Sequence, residues 1–309
     1  MTATIASQLE PFFNEQLAQR LGAPVLALPR GAVTALPASV RVLVAAPMAD
    51  GPAQAPAGWP FALDWIQLVS SGIDIYPPWF LAGLPVSTAR GVAAESIAEY
   101  VIAALFDATK RLSELWVHDP AQWQTRPLRA LRGSTLGLVG YGAIGQAIAR
   151  KAQALGLAVL ALRRDRSQPV AAGVRLVGSV EALLAQSDHA VLCAPATPQT
   201  QHLLNAQTLQ AAKPGLHLVN VGRGELLDAE ALRVALDDGR VALATLDTTA
   251  PEPLPRGHWL YHHPRVRLSP HTSAIGPETR LALVDKLLDN LARRAAGQPL
   301  RDLVAAPRS

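Results

Sequence analysis

Leu136-Gly137-Leu138-Val139-Gly140-Tyr141-Gly142-Ala143-Ile144-Gly145 opens the stretch, running on to Ser167, whose reading decides the fold. Leu136–Val139 reads as a short buried strand, and a helical run, Gln146–Leu155, follows the glycines. A second apolar strand, Leu157–Leu162, closes a βαβ unit. A glycine pattern in that context predicts a dinucleotide-binding turn. Gly140 allows the tight turn, Gly142 lets a pyrophosphate approach the backbone, and Gly145 lets helix and strand pack closely. The helix N-terminus then offers unpaired N–H groups and partial positive charge to the phosphates.

The second strand ends in Arg163-Arg164-Asp165-Arg166-Ser167, where a carboxylate for the ribose 2′-hydroxyl would otherwise stand. An arginine there accommodates a 2′-phosphate, and a guanidinium can hold a phosphate bidentately. Arg163, Arg164 and Ser167 therefore predict NADP(H) in preference to NAD(H). Asp165, one step past two arginines, tempers the charge rather than binding ribose.

A turn of this kind at residue 140 comes late, leaving room for a separate domain ahead of it. That first region alternates short apolar strands (Pro24–Leu28, Val40–Ala45, Ile66–Val69) with irregular loops. The loop Pro47–Pro60 alone holds four prolines and two glycines. From Val92 to Trp116 apolar residues recur at helical spacing with no Pro or Gly, predicting one long helix. Beyond the glycine turn, strands at Ala190–Cys193, Leu216–Val221, Val241–Asp247 and Val266–Leu268 alternate with helices at Ser179–Gln186 and Ala229–Asp237. Alternation of this kind means an α/β protein with a parallel, doubly wound sheet. A final helix, Pro277–Ala296, is expected to cross back onto the first domain. The expected division is residues 1–105 with 277–309 for one domain and 106–276 for the other. With about 13 residues after the last helix, no further C-terminal domain is expected.

Composition narrows the class. At 309 residues and 50% apolar content the chain supports real cores. Its only cysteine, Cys193, sits in an apolar run and reads as an inert core thiol with no disulfide to make. No apolar run reaches bilayer length, and Met1–Ile5 lacks the basic start of a secretory leader; a cytoplasmic protein without membrane partners is expected. The net charge of +4 and pI near 9.6 come from scattered basic residues, which argues for a solvated surface and against nucleic acid.

Three charged residues stand just past three successive predicted strands: Arg223 between two glycines, Glu252 between two prolines, and His271 after Pro270. Ligands of open parallel sheets bind at the carboxyl edge of the strands, where the glycine turn also opens. The set suits hydride transfer to a 2-keto acid. Arginine holds a carboxylate bidentately, histidine donates a proton near neutral pH, and a carboxylate beside it favours and orients the imidazolium. By contrast His258, His262 and His263 lack a partnering acid or helical spacing and read as an ordinary loop, so no metal is expected.

These motifs, with Pro195–Thr200, Asn220–Asp228, Leu246-Asp247, Pro251–Pro255 and Ser269–Thr272, resemble the D-isomer-specific 2-hydroxyacid dehydrogenases over nearly the whole chain, glyoxylate/hydroxypyruvate reductases among them. The resemblance implies a Rossmann-type domain inserted into a flavodoxin-like substrate domain, each a parallel-sheet α/β sandwich. It implies a catalytic set of Arg223, Glu252 and His271, with Arg223 and the backbone of Ser71-Gly72 on the substrate. It implies Gly140, Gly142, Ala143, Ile144, Gly145, Pro195, Thr200, Val221, Gly222 and Asp247 on the cofactor, Asp247 at the nicotinamide amide. A homodimer and a small 2-keto or 2-hydroxy acid substrate follow by the same likeness. Thr248-Thr249 departs from the family's Val-Phe, and Arg90 from its proline; a salt bridge from Arg90 to the long helix is the expected role. Two other readings stay open: NAD-dependent oxidation of the phosphoglycerate type, and a non-catalytic nucleotide sensor on the same fold.

Overall fold

A computed structural model describes residues 4–48 and 51–304. Residues 1–3, 49–50 and 305–309 lie outside the described residues, and with them most of the Met1–Ile5 stretch and part of the loop Pro47–Pro60. The chain divides into two compact units, Met1–Ala93 with Gly276–Ser309, and Ala94–Ile275. The first boundary thus falls at Ala93 rather than at residue 105, and the whole long helix goes to the second unit.

The first unit runs β1 (Thr4–Ser7), α1 (Pro11–Leu21), β2 (Val25–Ala27), β3 (Val40–Ala45), β4 (Trp65–Leu68) and β5 (Val86–Ser87). Its five strands are parallel in the order β2-β1-β3-β4-β5, the flavodoxin-like sequence. Period-two alternation splits its side chains between two faces. Ile5, Val42, Val44 and Trp65 pack with Leu17 of α1 and with Leu283, Val284 and Leu287 from the C-terminal segment. Ala6, Leu43, Ile66, Leu68 and Phe80 form the opposite layer. Both faces are covered, as parallel sheets require.

The second unit begins with α2 (Ala94–Lys110) and continues β6 (Thr135–Val139), α3 (Ala143–Ala154), β7 (Ala158–Leu162), β8 (Val174–Leu176), α4 (Val180–Leu184) and β9 (His189–Leu192). It closes with α5 (Ala206–Gln210), β10 (Leu216–Asn220), α6 (Ala229–Asp237), β11 (Val241–Leu246) and β12 (Val266–Leu268). The final helix α7 (Pro277–Ala295) belongs to the first unit. Seven parallel strands lie in the order β12-β11-β10-β9-β6-β7-β8, the Rossmann arrangement with one strand added. The order reverses between β6 and β9, so the glycine turn after β6 opens at the switch point.

The long helix stops at Lys110, short of the expected Trp116. Arg111 turns left-handed at φ +47° and Leu112–Glu114 tighten into a 3-10 turn. Leu112 and Trp116 stay exposed; the helical spacing continues, but these side chains have no core to bury against. Arg90 makes no ion pair among the described residues, contrary to expectation. The two acids near the start of α2 are taken by α3, Glu95 pairing with Arg150 and Glu99 with Lys151.

At the amino edge of the larger sheet two buried histidines meet, His189 Nδ1 lying 3.2 Å from His217 Nδ1. His217 Nε2 reaches Thr245 Oγ1 at 3.0 Å. Burial pushes the His189 imidazole down to about 4, against a weaker upward pull from Asp188. Burial, with His189 alongside, pushes His217 to about 3. Both stay neutral in the fold, whereas the unfolded chain takes up protons below 6.5. Their contribution is complete above pH 6.5 and is lost as the pH falls towards 4 and then 3, at about 1.4 kcal/mol per imidazole per pH unit. Thermal melts between pH 7 and 4 should show a steep loss that is flatter in a His189→Asn/His217→Asn variant. An unchanged slope removes the pair from the account.

Candidate functional site

The three glycines of the turn answer to different constraints. Gly140 sits at φ +106°, and a Cβ there would lie 2.9 Å from the Cys193 carbonyl oxygen. A Cβ on Gly145 would lie 2.4 Å from the Gly140 carbonyl oxygen. Both positions are closed by the protein's own packing. Gly142, the N-cap of α3, has an ordinary negative φ and nothing within 4 Å of a Cβ. Its bare backbone faces open space at a helix N-terminus, which fits a pyrophosphate. Ala143 and Ile144 form the first turn of that helix. Cys193 donates its thiol to the Gly140 carbonyl at 3.1 Å, and burial pushes that thiol up to about 12, so it is inert.

Loops from neighbouring strands extend this edge. Thr200 Oγ1 donates to the Pro195 carbonyl at 2.8 Å and accepts from the Thr197 amide, closing the loop that carries both residues. The Val221 amide donates to the Leu192 carbonyl at 3.1 Å, and a Cβ on Gly222 would meet the Ala194 carbonyl at 2.9 Å. Past β7, Asp165 turns onto Ser167 and accepts from its amide at 3.0 Å and its hydroxyl at 2.6 Å. Those bonds, with Arg163 beyond them, hold the Asp165 carboxyl below its usual range. Arg163, Arg164 and Arg166 make no ion pair among the described residues. Ser71 and Gly72 lie in the first unit, where Ser71 Oγ donates to the Ala89 carbonyl at 3.1 Å.

Arg223, Glu252 and His271 follow β10, β11 and β12 on the carboxyl edge of one sheet. Asn220 shapes the first loop: its Oδ1 accepts from the Gly222 amide at 3.0 Å and its Nδ2 donates to the Arg223 carbonyl at 2.9 Å. Gly224 is obligatory, because a Cβ there would overlap the Thr249 carbonyl carbon at 2.0 Å. That contact draws the loop after β11 against Arg223. Glu252 then bridges two partners, accepting from the Thr249 amide at 2.8 Å and lying 2.9 Å from His271 Nδ1. Both side chains are partly exposed, so the pairing orients the ring more than it stabilises the fold.

Asp247 is almost wholly buried. Its Oδ1 accepts from Ser269 Oγ at 2.6 Å and from the Thr272 amide at 2.9 Å, and its Oδ2 from the Ser273 amide at 3.0 Å. Its carbonyl accepts from the His271 amide at 2.9 Å. The departure at Thr248-Thr249 now has a local account. The Thr249 amide holds Glu252 and its hydroxyl donates to the Pro251 carbonyl, while the buried Thr248 hydroxyl has no partner among the described residues. Asn220, Ser269 and Tyr100 were given no role of their own from sequence; an Asn two residues before a glycine at a strand exit was the one available signal.

The loop histidines take other work. His258 Nδ1 accepts from the Leu260 amide, and His263 lies between Asp237 and the Arg265 amide. Among the described residues no group of three potential metal ligands gathers.

Residues 102–273, more than half the chain, match the model of the D-isomer specific 2-hydroxyacid dehydrogenase NAD binding domain. The chain belongs to that family. It is 34% identical over 229 residues to a glycerate dehydrogenase from Methylorubrum extorquens, covering 70% of each protein. It is 34% identical over 233 residues to a glyoxylate reductase from Aeropyrum pernix, covering 72% of this chain and 70% of that protein. An NADPH-dependent glyoxylate/hydroxypyruvate reductase from Sinorhizobium meliloti, solved with NADP and malonate, superposes with a TM-score of 0.76 at 27% identity, covering 99% of this chain and 97% of that one. This member of the family is therefore an NAD(P)-dependent oxidoreductase. No helix among the described residues is long and apolar enough to cross a membrane.

The glycine constraints make a paired prediction for the dinucleotide. Gly142→Ala should keep the melting temperature while raising the Kd for NAD(P)H at least about tenfold, because only the ligand meets the new methyl. Gly145→Ala should lower the melting temperature, because its methyl meets backbone. Titration calorimetry and thermal melts separate the two, and the reverse pattern would overturn the assignment.

Proposed function

We propose that this protein is an NADPH-preferring reductase of small 2-keto acids of the glyoxylate or hydroxypyruvate type, yielding the D-2-hydroxy acid. The reading is carried by one observation: His271 Nδ1 is held 2.9 Å from Glu252 on the same sheet edge as Arg223 and the open backbone of Gly142. The reduced nicotinamide, when bound, supplies hydride to the substrate C2. His271 enters as imidazolium and gives its Nε2 proton to the carbonyl oxygen. Glu252, on Nδ1, holds the ring oriented. Arg223 holds the carboxylate with its planar fork and polarises the adjacent carbonyl; the Ser71-Gly72 amides as substrate ligands, and Asp247 as nicotinamide neighbour, are taken from the family likeness. Gly140, Gly142, Ala143, Ile144, Gly145, Pro195, Thr200, Val221 and Gly222 would hold the dinucleotide.

Arg163, Arg164 and Ser167 are assigned to the ribose 2′-phosphate. Support comes from the absence of an acid at Arg163, the commitment of Asp165 to its own turn, and guanidiniums that make no ion pair among the described residues. The NADP-bound relative points the same way. We place the enzyme in the cytoplasm as a homodimer. The segment after α2 supports the pairing: Trp116 and Trp123 are 65% and 81% exposed, with Leu112 and Leu128 nearby in sequence, an apolar surface that a second copy would cover.

Kinetics with glyoxylate and hydroxypyruvate test the proposal. The expected result is a higher kcat/KM with NADPH than with NADH, and an Arg163→Asp variant that loses about ten- to hundredfold with NADPH alone. Equal or better performance with NADH would overturn the cofactor assignment. His271→Ala should lower kcat at least about a hundredfold while NADPH binding stays intact. Binding of nucleotide without turnover of any 2-keto acid would favour the sensor reading instead.

A further inference from the structure

Tyr100, on α2, lies outside the residues assigned above, yet its hydroxyl is 2.6 Å from Ser269 Oγ. Ser269 Oγ in turn donates to Asp247 Oδ1 at 2.6 Å. A serine hydroxyl has one hydrogen to give, and here it goes to the carboxylate. Tyr100 must therefore donate to Ser269, and the three groups form a directed chain, Tyr100 to Ser269 to Asp247.

The end of that chain is the loop that presents His271. Asp247 takes the amides of Thr272 and Ser273 on its carboxylate and the His271 amide on its carbonyl. Between these anchors His271 sits at φ +49°, a left-handed conformation that a non-glycine residue keeps only when its surroundings hold it. A carboxylate accepting hydrogen bonds from several donors is a strong anchor, and each donor in a chain polarises the next. Burial, reinforced by the nearby Asp247 charge, pushes the Tyr100 hydroxyl above its ordinary range, so it remains a donor at any working pH.

We propose that Tyr100 and Ser269 are positioning residues for the acid–base histidine, fixing the Ser269–Ser273 loop through Asp247. This rests on the reading of His271 as proton donor. Neither residue touches the reacting atoms; they set where His271 stands relative to Glu252. Losing the Tyr100 hydroxyl should loosen the loop while leaving carboxylate binding by Arg223 and the glycine turn unchanged.

The test uses the full chain with Tyr100→Phe, Ser269→Ala and Ser269→Thr. Tyr100→Phe is expected to lower kcat about fivefold, the scale of one hydrogen bond, with KM for glyoxylate and Kd for NADPH within about twofold. Ser269→Ala should lose as much or more, and adding Tyr100→Phe to it should cost nothing further, because the chain is already cut. Ser269→Thr, which keeps the hydroxyl, should restore most of the rate. Amide hydrogen exchange supplies a readout independent of turnover: Thr272 and Ser273 should exchange about tenfold faster in Tyr100→Phe, with β6 amides unchanged. Unchanged exchange at Thr272 and Ser273, or acceleration throughout the unit, would overturn the proposal, as would a loss carried by KM alone. If the wild-type protein reduces no 2-keto acid, the reading of His271 fails, and the exchange data alone decide whether Tyr100 orders this loop.

Discussion

One buried carboxylate organises the carboxyl edge of the larger sheet. Asp247 directly follows β11, and its two oxygens take three donors from the segment after β12. A carboxylate that deep is costly unless fully hydrogen-bonded, so the neighbouring loop must fold over it. That requirement imposes the left-handed turn at His271 and fixes which way the ring leaves the backbone. With the ring set, Glu252 needs only its anchor on the Thr249 amide to meet Nδ1.

Close backbone approach is the second constraint, and it couples adjacent loops. Gly224 lets the backbone at Thr249 pass where any side chain would collide, and Gly222 does the same for the loop after β9. Gly140 and Gly145 bring β6, α3 and Cys193 together in one joint. Four glycines thus lock the loops of four parallel strands into a continuous rim. Gly142 stands apart, since no protein atom claims the space beside it. A rim that is rigid except for one uncovered stretch of backbone is a natural seat for a phosphate.

Much of this was legible in the chain. The βαβ pattern around Gly140 placed the dinucleotide turn, and strand–helix alternation gave the parallel sheet. The spacing of Arg223, Glu252 and His271 beyond three strands put them on one edge. Less legible were β1, α1, β5, β8 and α5. The strands among them are four residues or fewer, and α1 is polar with only Asn14 and Leu17 buried, so neither period is sustained. The long helix was overextended for the opposite reason: helical spacing continued past Lys110, where the chain no longer had a surface to bury against.

The sequence by itself determined the fold class, the family and which charged residues stand on the edge, because those depend on local periodicity and on residues tied to strand ends. Tertiary structure decided which contacts those residues make. Nothing local could place Tyr100 against Ser269, 169 positions away. Nor could composition show that Arg90 makes no ion pair among the described residues, Glu95 and Glu99 of α2 being claimed by α3. Pairings of this kind are set by strand order and loop packing, and they appear only once the sheet has brought distant segments to a common edge.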